Sequence, residues 1–61
     1  MEFKLTINCD NAAFDCNEDR DLEIARILRW MADKAENIGV RGGGKLWDSN
    51  GNNVGTFEFT E

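Results

Sequence analysis

The spacing of apolar residues changes twice along this chain, and that double change constrains the fold more than any other feature. From Glu2 to Asn8 they alternate, with Phe3, Leu5 and Ile7 on one side and Glu2, Lys4, Thr6 and Asn8 on the other. A period of two belongs to a strand with one buried face. From about Glu18 to Ile38 the period becomes helical. With Leu28 at the centre of a wheel turned about 100° per residue, Ile24, Ala25, Met31, Ala32 and Ala35 fall within about 60° of it and Ile38 at about 80°. This stripe is the expected sheet-facing side of the helix. Period two returns from Val54 to Thr60, where Phe57 and Phe59 share a face, after a shorter strand from about Lys45 to Asp48. Between these two strands, Asn50-Gly51 offers the positive φ that a tight hairpin turn requires.

These readings predict an α+β fold of order β-α-β-β, a single domain over residues 1–61 with one long amphipathic helix packed on a three-stranded sheet. Placing the third strand in the middle makes every neighbour antiparallel and is the preferred order. The alternative puts the second strand in the middle, parallel to the first through a right-handed crossover. Asn17 or Asp19 is expected to cap the helix, with Glu18, Asp19 and Asp21 complementing its dipole and Gly39 ending it. The expected core is Phe3, Leu5, Ile7, Leu28, Met31, Phe57 and Phe59, with Phe14 plugging its end from the polar connection that precedes the helix.

A chain of 61 residues buries only about 60% of the surface its unfolded form exposes, so its stability is marginal unless a metal, a disulfide or a partner adds to it. Histidine is absent and there are two cysteines, Cys9 and Cys16, too few for a disulfide scaffold or a four-cysteine zinc site. No apolar leader and no run of about 20 apolar residues occurs, so an intracellular, non-membrane protein with reduced thiols is expected. The net charge of −5 repels nucleic acid and favours a basic partner.

Residues that could carry chemistry do not assemble into a motif. Gly42-Gly43-Gly44-Lys45 follows a helix and precedes a strand, with Leu46 where a phosphate loop needs Ser or Thr. It reads as a flexible helix-to-strand connection. The acidic segment Asp10, Asp15, Glu18, Asp19 and Asp21 lacks the alternate spacing and central glycine of a calcium loop. Cys16 lies near the helix start, but its acidic neighbours oppose thiolate formation. No catalytic residue, metal or cofactor is expected, and the chain is not expected to be an enzyme. The tryptophans stand out. On the Leu28-centred wheel, Trp30 lies on the outer face with Ile27 beside it, and Arg26 and Lys34 can lie over its ring as cation–π partners. Trp47, opposite in parity to Leu46, is expected on the open sheet face. Trp is enriched at binding hot spots, so Ile27, Trp30, Lys34 and Trp47 are the candidate partner-binding residues.

Three segments in order are Asp10-Asn11-Ala12-Ala13-Phe14, Glu23-Ile24-Ala25-Arg26-Ile27-Leu28-Arg29 and Asp48-Ser49-Asn50-Gly51-Asn52-Asn53-Val54-Gly55. The chain resembles, over nearly its whole length, a group of very small tailed-bacteriophage proteins sharing D-N-A-A-F, E-L-A-R-I-L-R-like and D-x-N-G-N-x-V-G motifs. It departs from them in Ile24, where Leu is usual, and in its triple glycine. The resemblance implies an accessory protein in the cytoplasm of an infected bacterial host, of the kind that binds and disables host proteins, CRISPR and other defence systems included. The leading expectation is a non-enzymatic inhibitor that occupies a partner's surface, such as a basic nucleic-acid groove. Its rivals are a self-associating homodimer and a nucleic-acid binder using Lys4, Arg41, Lys45 and Trp47.

Overall fold

The computed structural model describes residues 1–10, 12–14 and 16–61. Strand β1 (Glu2–Ile7) leads through a 3₁₀ turn (Ala12–Phe14) to helix α1 (Asn17–Asn37), then to β2 (Gly44–Trp47) and β3 (Asn53–Thr60). The sheet order is β1-β3-β2 with both pairings antiparallel, the preferred expectation. Phe3 pairs with Phe59 and Leu5 with Phe57, which stacks the apolar faces of the two long strands.

A β-bulge shapes the core. Leu46 pairs with Gly55 but Trp47 with Asn53, so Val54 is an extra residue on β3. Val54 and Phe57 stand three apart and could not share one face of a regular strand. With the bulge between them, both are buried. The Asn53 side chain bridges the bulge, donating to the carbonyls of Leu46 and Gly55 at 3.0 Å each. Gly55 lies so close to β1 that a Cβ there would overlap the Thr6 carbonyl oxygen.

The buried core is Phe14, Ile27, Met31, Leu46, Val54 and Phe57. Phe14 closes its end as expected, and Met31 and Phe57 are where the sequence placed them. Leu28 and Phe3 are not: they are 48% and 44% exposed, whereas Ile27 is 1% exposed. The helix is therefore rolled about 100° from its expected orientation, with Ile27 rather than Leu28 facing the sheet. The same roll brings Glu23, a polar residue, among the buried ones.

The helix cap is also corrected. The N-cap is Cys16, whose Sγ accepts from the Asp19 amide at 3.4 Å. Asn11, Asp15 and the side chains of Ala12 and Asn17 lie outside the described residues, including the Asn17 capping expectation and part of the D-N-A-A-F segment. At the other end the amides of Ile38 and Gly39 both donate to the Lys34 carbonyl at 2.8 Å, and Gly39 has φ +103°. Among the described residues no helix is long and apolar enough to cross a membrane.

Candidate functional site

Helix α1 lies over the sheet with two unlike flanks. Trp30 and Arg26 flank its buried Ile27 row toward β2, while Leu28, Ala32 and Ala35 flank it on the side of β1. The β2 flank carries a hydrogen-bonded polar cluster. Arg26 Nε donates to Glu23 Oε1 at 2.6 Å, and its Nη2 donates to the Trp47 carbonyl at 2.8 Å. The second oxygen of Glu23 accepts from the Ser49 amide at 2.7 Å. The Arg26 guanidinium holds the Glu23 carboxyl below its ordinary value of 4.5; burial opposes this and the Ser49 amide supports it. A carboxylate held charged by these donors is a poor proton acceptor at neutral pH, and it serves here to tie the β2–β3 turn to the helix.

The turn is ordered from within as well. Asp48, 5% exposed, accepts from the amides of Asn50 and Asn52 at 2.9 and 2.8 Å through one carboxylate oxygen, and from the Asn52 side chain through the other. The Gly51 amide closes onto the Asp48 carbonyl at 3.1 Å, and Gly51 has φ +84°. Asn50 does not share that positive φ. The connection is thus a longer turn followed by a left-handed glycine, rather than the expected two-residue Asn-Gly turn.

Around this cluster lies a cleft of about 110 Å³ lined by Arg26, Ile27, Trp30, Trp47 and Asp48. Trp30 is 43% and Trp47 49% exposed. The two tryptophans, expected on opposite outer surfaces, therefore border one site. The Trp30 ring meets Phe57 edge-on at 6.5 Å, so one side of it is anchored in the core. Lys34 Nζ stands 5.9 Å above the Phe57 ring, not over Trp30, and lines a neighbouring depression with Trp30, Asp33, Asn37 and Ile38. Ile27 forms the floor of the cleft as a core residue, which corrects its expected outer position. Of the four candidate residues, Trp30 and Trp47 are on the surface of the cleft, Ile27 is beneath it and Lys34 beside it.

Sequence reasoning missed Arg26 and Asp48 as cleft residues. The signal for Arg26 was present, since Glu23 and Arg26 have the i, i+3 spacing of a helix ion pair. The β1 flank carries a second feature the sequence concealed. Leu5 and Met31 join Phe3, Leu28, Ala32, Ala35, Val40 and Phe59 around an apolar groove of about 490 Å³. The cations proposed for nucleic acid do not gather at either place: Lys4 pairs with Glu2 at 3.6 Å and Arg41 with Glu61 at 3.5 Å. Among the described residues, no three of Cys, Asp and Glu converge as a metal-ligand set. Comparison with known proteins finds no family model, no curated protein and no solved structure that matches the chain.

Proposed function

We propose that this chain is a small phage-encoded, non-enzymatic binding protein that inhibits a host or defence protein, in the manner of an anti-CRISPR, by occupying its surface. The observation that carries the reading is the preorganised patch of Trp30, Arg26 and Trp47. Trp and Arg dominate binding hot spots. Here the Trp30 indole is held against Phe57, and the Arg26 guanidinium by Glu23 and the Trp47 main-chain carbonyl, before any partner arrives. Side chains already ordered lose little further freedom on binding, which favours affinity from a small contact area. The net charge of −5 suits a basic partner surface, including a nucleic-acid groove that the protein would block. The likeness to small tailed-phage proteins in the three sequence motifs supplies the biological setting.

The test uses a bacterial host with an active CRISPR system, challenged by a phage that the system targets. Expression of the wild-type chain should restore plaque formation, and the chain should co-purify with one component of the system. Trp30→Ala combined with Trp47→Ala should abolish both effects while retaining a folded spectrum. Full protection and capture by that double variant would rule out this face. Failure of the wild-type chain to protect against CRISPR or any other defence system tried would remove the inhibitory reading.

A further inference from the structure

We propose that two copies of this chain pair antiparallel along β1, about a two-fold axis at Phe3, and close the apolar groove of each against the other. Three observations converge on this. β1 is an edge strand. The Asn8 amide donates to Val54 on β3, so by the alternation of an antiparallel ladder the even-numbered residues face β3. The N–H and C=O groups of Phe3 and Leu5 therefore point out of the sheet, where a further strand can take them. No Pro interrupts β1, and its one lysine, Lys4, is paired with Glu2 on the same strand.

The groove sits at that edge. Its walls are Phe3 and Phe59 from the sheet, Leu28, Ala32 and Ala35 from the helix, and Val40. The apolar stripe of α1 is centred on Leu28 in the sequence, yet the chain's own sheet takes the row centred on Ile27. The unclaimed half of the stripe, Leu28, Ala32 and Ala35, lines the groove instead. Ala32 and Ala35 keep that flank low, so a neighbouring helix on the same side of a continued sheet can approach closely.

Charge selects the occupant and the register. A two-fold at Phe3 sets Lys4 of each copy opposite Glu2 of the other, in the non-hydrogen-bonded positions where side chains come closest. Both side chains are more than half exposed, at 62% and 61%, and so are available to re-pair across the junction. A register centred on Lys4 would instead oppose two lysines, and one centred on Leu5 would set Lys4 against Thr6.

Sedimentation equilibrium across the micromolar range tests this. The wild-type chain should form dimers. Lys4→Glu alone and Glu2→Lys alone should each weaken dimerisation by about tenfold, since two attractive pairs become repulsive. An equimolar mixture of those two variants should recover the wild-type affinity as a heterodimer. Leu28→Glu should abolish association with an unchanged circular dichroism spectrum. The dimer lies on the flank of α1 away from the Trp30–Trp47 cleft, so Trp30→Ala with Trp47→Ala should leave it intact, and either reading can fail without the other. A wild-type chain that stays monomeric, or variants that do not complement on mixing, would overturn the proposal. So would hydrogen exchange showing the β1 amides protected only when a different protein is bound.

Discussion

At the scale of single residues, neighbours in sequence have opposite roles. Ile27→Ala removes a fully buried side chain from between the helix and Leu46, Val54 and Phe57, and should cost about 2–5 kcal/mol. Leu28→Ala, one position on, should cost less than about 1 kcal/mol in the monomer because half of that side chain is already in water. Thermal melts of both at low protein concentration check the roll of the helix, and equal losses would show that it is misplaced. Glu23 makes a prediction about pH. Its folded pKa is depressed, so the native state holds the charged form more firmly than the unfolded chain does. The associated stability is complete above about 4.5 and is lost as pH falls through the lower folded value. Glu23→Gln should be less stable at neutral pH and should lose less on acidification than the wild type. An acid decline of unchanged slope in that variant would place the titrating group elsewhere.

At the scale of elements, the hydrophobic period named each strand and the helix to within a residue or two, and the antiparallel preference put β3 in the centre. What the period could not supply was the azimuth of the helix. Apolar residues cover more than one face of α1, and the side that packs on the sheet includes Glu23, whose burial is tolerated because Arg26 and the Ser49 amide satisfy it. A residue scored as polar was thus part of the inner face. The bulge at Val54 was equally hidden, since it depends on Asn53 bridging two carbonyls. The helix start shows a different limit. Sulfur is a weak acceptor, so Cys16 caps poorly. Cys16→Ser should raise stability by about 0.5–1 kcal/mol if the hydroxyl takes over the bond to the Asp19 amide. A fall in the melting temperature would mean that the thiol has another role there. At the β2–β3 turn, Gly51→Val should be strongly destabilising because a β-branched residue resists φ +84°, and a wild-type melt would contradict the turn geometry.

At the scale of the whole molecule, the six buried apolar residues among the described ones are few beside the large side chains left in water, Phe3, Leu28, Trp30 and Trp47 among them. A 61-residue chain with such a core has roughly 3–5 kcal/mol of stability from its own packing. Any assembly that covers Phe3 and Leu28 adds to this by mass action, and makes the melting temperature depend on concentration. The wild-type midpoint should therefore rise steadily as the chain is concentrated through the micromolar range. Leu28→Ala separates the two contributions. In dilute solution its midpoint should lie close to wild type, since the side chain does little for the monomer. At high concentration it should fall behind, because the groove it leaves has less apolar surface to bury. Ile27→Ala should show the complementary pattern, a large loss at every concentration. A wild-type midpoint independent of concentration would mean that the monomer is stable on its own buried core alone, with the groove and edge of β1 remaining in water.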